Sequence, residues 1–255
     1  MRRGLTLLVC ASVALAGCGD SSGEGEGADL IVSAASSLTD AFTEIGAAFE
    51  AANPGVSVTF NFGPSDGLAT QINEDAPVDV FASASPTWMD AVQDDGPGVS
   101  GRTDFARNEL AVIVPTDNPA AIDSIEDLAR EGVQLVVAAE GVPAGDYARQ
   151  VFETAGIAEG ALDNVVSNAE DVRAVVTSVA SGEADAGIVY VTDVTSDVAD
   201  QVSLIQIPDD ANVIATYPIA VVTGSEEADL AQRFVNYVLG DGRQVLAEHG
   251  FLPPA

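Results

Sequence analysis

Two adjacent serines, Ser36 and Ser37, stand where the apolar run ending at Val32 gives way to a helical pattern carried by Leu38, Phe42, Ile45 and Phe49. A third, Ser65, occupies a similar corner in "FGPSDGLA", and "GVPAGDYA" and "SNAEDVRA" build two more corners from small or capping residues. A serine at a helix start can accept from a backbone N–H as an N-cap, worth about 1 kcal/mol. It can also donate its own O–H to a ligand, beside the unpaired N–H groups of the helix's first turn. The second use would let several corners enclose a small anion with no Lys or Arg. The doubled Ser36 and Ser37, matched by Ser65, favour it, while Thr39 and Asp40 remain available as local caps.

Nucleophilic chemistry is the rival use. "GPSDG", Gly63 to Gly67, fits the G-x-S-x-G pattern between a strand and a helix. A serine nucleophile needs a base. The single histidine, His249, sits near the end of the last helical stretch and reads as a surface residue favoured by a helix C-terminus. No "HGGG"-type oxyanion segment accompanies it, and the chain is read as a binding protein rather than an enzyme. Asp75, Asp79 and Asp90 have no recognisable metal spacing. Trp88 and Met89 read as packing, the acids of "EDVR" as helix-start residues, and Arg173 as the partner of an acid.

The elements that must position these corners follow a β-α-β-α rhythm from Asp29 onward. "DLIVSAA", "VSVTFNF" and "VDVFASA" are predicted strands, followed in turn by helices from Leu38 to Ala52, over "SDGLATQINED" and over "PTWMDAVQDD". A second series starts with a strand at "NELAVIVP", Asn108 to Pro115. It continues through a helix at "SIEDLAREG", a strand at "VQLVVAA", a helix at "PAGDYARQVFETAG", a short strand at "NVVSNAE" and a helix at "DVRAVVTSVASGE". Strands at "DAGIVYVTD", "SLIQIP" and "YPIAVVTG" precede a helical pattern from Glu226 to His249. These are too many strands for one small sheet, so two α/β lobes are predicted. No polar linker divides the series, which places strand crossings near "RNELAVIVP" and "ATYPIAVVTG". Lobe I then comprises residues 29–107 plus 217–255, and lobe II residues 108–216. In open α/β sheets ligands bind outside the carboxyl ends of strands, where the four corners lie.

All nine basic residues of the 255-residue chain are Arg, against 40 acidic ones, for a formal charge of -31. Arg2 and Arg3 precede a short apolar run that ends at "LAGC". This reads as a signal peptide over residues 1–17, too short to span a bilayer. The small residues before Cys18 resemble the lipobox of bacterial lipoproteins, which implies cleavage there and acylation of Cys18. Residues 18–28, rich in Gly, Ser and acids, read as a flexible tether. Removing the two leader arginines leaves seven basic residues and a charge of -33. Such a surface argues against nucleic acid as a partner. With Cys10 in the leader and Cys18 lipidated, no thiol remains for a disulfide.

"AASSLTDAF", "GPSDGLATQI", "DVFASASPTWMD", "VPAGDYA", "AEDVRAVVTSV" and "AGIVYVTD", in that order, resemble the periplasmic molybdate-binding component of bacterial ABC transporters. The resemblance extends from Asp29 to Phe251. It implies a type II periplasmic-binding-protein fold: two lobes, each a mainly parallel sheet flanked by helices, with the ligand in the cleft between them. It further implies that molybdate or tungstate is held by neutral hydrogen bonds from the Ser37 and Ser65 hydroxyls, the Ala144 and Val172 backbone N–H groups and the Tyr190 phenol. No cofactor is implied, and molybdenum is expected only as the bound oxyanion, through the same residues. The expected partners are a membrane permease and an ATPase. The protein itself is expected to be a monomer held by its lipid at the outer face of the cell membrane. Pro64 and Asp66 depart from the small neutral residues usual at the second corner. Pro64 removes one N–H, and Asp66 is expected to turn outward, away from an anion. Sulfate and phosphate remain alternative cargoes, and a sensor that never delivers its ligand remains an alternative role.

Overall fold

The computed structural model describes residues 27–255; the predicted leader, Cys18 and all but the end of the tether lie outside the described residues. β1 (Ala28–Ala35), a 3-10 turn (Ser36–Leu38), α1 (Thr39–Ala52), β2 (Val56–Gly63), α2 (Ser65–Asn73), β3 (Val80–Ala82) and α3 (Pro86–Asp95) make the first series. The long β4 (Val99–Pro115) leads, through a 3-10 turn (Ile125–Ala129), to β5 (Leu135–Ala138), α4 (Pro143–Thr154), α5 (Ala158–Asp163), β6 (Val165–Ala169), α6 (Val172–Ala180), β7 (Ala186–Tyr190) and β8 (Val202–Gln206). β9 (Ile214–Val222), α7 (Ala228–Leu239) and α8 (Gly242–Glu248) complete the chain.

The strands run β2-β1-β3-β9-β4-β7-β5-β6, with β8 also on β4. Both flanks are parallel, as the β-α-β rhythm requires: β1 lies between β2 and β3, and β5 between β6 and β7. The antiparallel pairs all involve the long connecting strands. β4 pairs with β9 from Val99 to Glu109, then with β7 over Leu110–Ile113 and with β8 over Ala111–Pro115. One strand therefore belongs to two sheets, and the change of partner falls at Glu109–Leu110, inside the predicted crossing "RNELAVIVP".

Burial explains the strand and helix patterns. β1, covered on both sides, buries Leu30, Val32 and Ala34 completely. The edge strand β2 alternates, with Val56, Val58, Phe60 and Phe62 half-buried and Ser57, Thr59 and Asn61 exposed. α1 turns Phe42, Ile45 and Phe49 inward. There Phe42 and Phe49 meet Phe60, Phe105 and Phe234 with ring centroids 5.2–6.3 Å apart. Burying each such ring contributes on the order of 1.5–3 kcal/mol. The C-terminal α7 and α8 pack back on α1, as the sequence reading expects.

Four elements differ from the sequence expectation. β4 starts at Val99, nine residues before Asn108, because the polar "SGRTD" hides a strand that pairs with β9 through two register shifts. "SIEDLAREG" forms only a 3-10 turn, closed by a Ser124–Asp127 capping box and followed by Gly132 at φ +90°. α5 is a further short helix between α4 and β6. The last helical stretch breaks at Gly240 into α7 and α8. The tether also ends earlier than expected, since Ala28 already pairs with Val56 in β1.

Gly145 fixes how α4 leaves the sheet. A Cβ there would lie 2.2 Å from the Ala139 carbonyl oxygen and 2.3 Å from that of Ala138, so only glycine lets the first turn of α4 sit against the end of β5. Gly145→Ala is expected to cost about 1–3 kcal/mol of stability, read as a lower urea midpoint at unchanged slope.

Candidate functional site

A small cavity opens at the carboxyl ends of β1, β2, β3, β5, β6 and β7. Its walls are Ala35, Ser36 and Ser37 where β1 ends; Gly63, Pro64 and Ser65 where β2 ends; Ala84 after β3; Val142, Pro143 and Ala144 at the start of α4; Val172 at the start of α6; and Tyr190 at the end of β7. All five residues singled out as ligand donors, Ser37, Ser65, Ala144, Val172 and Tyr190, face this one cavity. Ser36 lines it as well. Among the described residues, no Arg, Asp or Glu does.

The helix starts around the cavity leave their donors open. No side chain caps the 3-10 turn at Ser36, α1, α2 or α4. The serines are therefore not caps, and neither Thr39 nor Asp40 takes that role. Thr39 donates its hydroxyl to the Ser36 carbonyl at 2.6 Å, and Asp40 pairs with Arg173. In α4 the first intrahelical bond is donated by Asp146 to the Val142 carbonyl, so the Ala144 N–H has no partner within its helix. In α6, Asp171 caps the Ala174 N–H at 2.9 Å and leaves Val172 N–H free of the helix. Each open end carries roughly half a positive charge from its helix dipole.

The hydroxyls are set by their own partners. Ser65 Oγ accepts from the Ala84 N–H at 3.0 Å, which leaves its proton for another acceptor. Ser37 Oγ lies 3.0 Å from the Tyr217 hydroxyl. The Tyr190 hydroxyl is buried and has no hydrogen-bond partner. Burial first, then the neighbouring phenols Tyr217 and Tyr147, push its pKa well above the usual tyrosine value. It is therefore a neutral O–H donor at any physiological pH.

Two contacts reach across the cleft between the β1–β3 and β5–β7 flanks. Arg173, on α6, donates from Nε to the Ser36 carbonyl at 3.1 Å and pairs with Asp40 of α1. This agrees with the expectation that Arg173 pairs with an acid. Trp88, on α3, donates its indole N–H to the Gly141 carbonyl at 2.7 Å, a bridge that adds to the packing role read from the sequence. Asp66 is absent from the cavity wall, yet its Oδ1 is buried without a partner and caps no helix. Its absence from the wall agrees with a side chain turned away from an anion, while the burial of Oδ1 does not agree with one turned out to solvent. His249 pairs with Glu44 of α1 at 3.0 Å and does not reach the cavity.

A family described as bacterial extracellular solute-binding protein matches residues 30–252 of this chain. The chain belongs to that family. Among its relatives, the molybdate-binding protein ModA of Mycobacterium tuberculosis is 40% identical over 248 residues, covering 94% of this chain and 93% of the relative. ModA of Escherichia coli is 33% identical over 259 residues, covering 98% of each. The solved periplasmic molybdate-binding protein of Azotobacter vinelandii shares the fold, with a TM-score of 0.78 over 89% of this chain and all of that one, at 20% identity.

In this solute-binding protein, sequence reading misses several residues that support the cavity. Ala84 enters through the corner between β3 and α3, where Ser85 caps α3 through the Thr87 N–H; the "SASP" capping pattern is the one local signal for it. Tyr217 and Asp193 carry no local signal. Asp193 Oδ2 accepts from the Tyr190 N–H at 3.0 Å, and its Oδ1 is buried without a partner. Burial raises its carboxyl from 3.8 to about 7, against the Tyr190 N–H and the Arg173 charge, which favour ionisation, while Asp171 and Asp40 push it further up.

A carboxyl whose folded value lies above its unfolded one binds more protons when folded. Stability then falls as pH rises from about 4 to about 7 and levels off above. Asp193→Asn keeps an oxygen for the Tyr190 N–H and lacks this slope. Urea unfolding across that range is expected to show the variant gaining on the native chain as pH rises, by roughly 1.4 kcal/mol for each tenfold of proton affinity that folding adds to the native carboxyl. Parallel pH profiles for the two would refute the assignment.

Proposed function

We propose that this chain is an extracytoplasmic binding protein that captures a tetrahedral oxyanion, molybdate or tungstate, and delivers it to an ABC importer. The observation that carries this reading is a cavity whose polar walls are hydroxyls and helix starts with open N–H groups, with the buried, unpartnered Tyr190 hydroxyl belonging to a residue of its wall. A dianion taken from water needs its oxygens paired. Ser37, Ser65 and Tyr190 would supply O–H groups, and Ala144 and Val172 N–H groups. The ligand names of the 40% and 33% identical relatives support molybdate among such anions. Among the described residues no lining carboxylate is available to accept a proton from hydrogen phosphate, which weighs against phosphate as the cargo. Neutral donors hold the anion without a counter-charge, which suits a protein that must also release it.

Residues 29–107 plus 217–255 form one lobe and residues 108–216 the other in this reading, with β4 and β9 as the hinge. The Arg173–Asp40 and Trp88–Gly141 contacts belong to the closed state. Ligand contacts drawn from both lobes then favour closure. Acylation at Cys18 would hold the monomer at the outer face of the membrane, beside its permease and ATPase.

Calorimetric titration with molybdate, tungstate, sulfate and phosphate tests the cargo. Molybdate is expected to bind at least about a hundredfold more tightly than sulfate, or about 2.8 kcal/mol; the opposite ranking overturns the reading. Ser65→Ala removes one donor and orphans the Ala84 N–H. It is expected to weaken molybdate binding by roughly 1.5–3 kcal/mol, whereas His249→Ala leaves binding unchanged.

A further inference from the structure

Behind the cavity lies a chain of buried polar groups that does not touch its contents. Asn108, 1% exposed, sits on β4, and Tyr217, fully buried, sits on β9. The Asn108 amide is oriented by the backbone. Its Oδ1 accepts from the Glu109 N–H at 3.0 Å, so its Nδ2 must point the other way. There it donates to Thr192 Oγ1 at 2.8 Å and, at the longer distance of 3.5 Å, to the Tyr217 hydroxyl. The Tyr217 oxygen thus faces a donor that cannot accept in return. Its own proton needs an acceptor, and among the described residues the hydroxyl's other hydrogen-bond partner is Ser37 Oγ, at 3.0 Å. If Ser37 donated to Tyr217 instead, the buried Tyr217 proton would be left without a hydrogen-bonded acceptor, since the neighbouring Tyr190 hydroxyl makes no hydrogen bond, a state that buried groups avoid.

We propose that Asn108 and Tyr217 are positioning residues that fix the direction of the Ser37 hydroxyl. Protons run from Asn108 Nδ2 to Tyr217 Oη, from Tyr217 Oη to Ser37 Oγ, and from Ser37 Oγ into the cavity. Ser37 then presents only a proton to the ligand. With Ser65 held in the same sense by the Ala84 N–H, the site favours oxyanions that bear no proton of their own over those that carry an O–H. The relay also ties selectivity to β4 and β9, the two strands that lie between the flanks, and it rests on the oxyanion reading of the cavity.

The test compares affinities for molybdate, sulfate and hydrogen phosphate in mildly alkaline buffer, where all three are dianions, so that a change in net charge acts on them alike. In Asn108→Asp the carboxylate accepts the Tyr217 proton, Ser37 donates to Tyr217, and a lone pair of Ser37 faces the cavity. Molybdate and sulfate affinities are expected to fall together. Hydrogen phosphate, which can donate to that lone pair, falls less, and the molybdate-to-phosphate ratio narrows by about tenfold. Tyr217→Phe leaves the Ser37 hydroxyl free to rotate and is expected to narrow the same ratio by roughly threefold. This second variant carries the test if Asn108→Asp fails to fold. Equal loss for all three anions, or an unchanged ratio, overturns the relay while leaving the oxyanion reading intact. Failure of the native chain to bind any of the three overturns both.

Discussion

A desolvated anion held without a counter-charge depends on helix N-termini that are left uncapped. Capping is the ordinary fate of these groups, and the chain uses it in part even at this edge: Ser85 caps α3, and Asp171 caps one N–H of α6 while leaving that of Val172 open. Around the cavity, the starts of α1, α2 and α4 have no capping side chain. Each forgone cap leaves stability of about 1 kcal/mol unrealised and, in the proposed function, keeps a donor ready for the ligand. The parallel flanks make this arrangement possible, because each strand there hands its carboxyl end to a helix start at the same edge of the sheet.

The architecture around that edge is correspondingly tight. Gly145 lets α4 begin against the carbonyls that close β5, and a Cβ at Gly187 would come 2.6 Å from Val175, where β7 carries α6. The same economy of space governs charge. Arg173 follows the cavity residue Val172 directly, yet its guanidinium is spent on Asp40 and the Ser36 carbonyl rather than on the cavity. Asp193, one turn beyond Tyr190, is buried so completely that its carboxyl is pushed up to about 7. Among the described residues the cavity wall thus carries no Arg, Asp or Glu, in a chain whose formal charge is -31 overall.

Much of this is legible along the chain because its signals are local. Strand-to-helix corners appear as an apolar run, a small or capping residue and a helical period, and Ser37, Ser65, Ala144 and Val172 all sit at such corners. Tyr190, a lone aromatic at a strand end, has no such signal. Only likeness to a family marks it from sequence. Residues that work through distant partners stay hidden. Tyr217 meets Ser37 across 180 positions, and Arg173 meets Asp40 across 133; no periodicity encodes such a pairing. The first half of β4 is hidden for another reason. Its partner β9 supplies the apolar side of the ladder, so "SGRTD" needs no alternation of its own.

The bridge between Trp88 and Gly141 has one further consequence. Trp88 is the single tryptophan in the chain, and its indole nitrogen spans from α3 to the loop preceding α4. Any rearrangement that parts these two elements strips that indole of its carbonyl and admits water to it. The molecule therefore carries an intrinsic fluorophore on a bond between α3 and the loop before α4, and its emission is expected to change, without any label, if those two elements part.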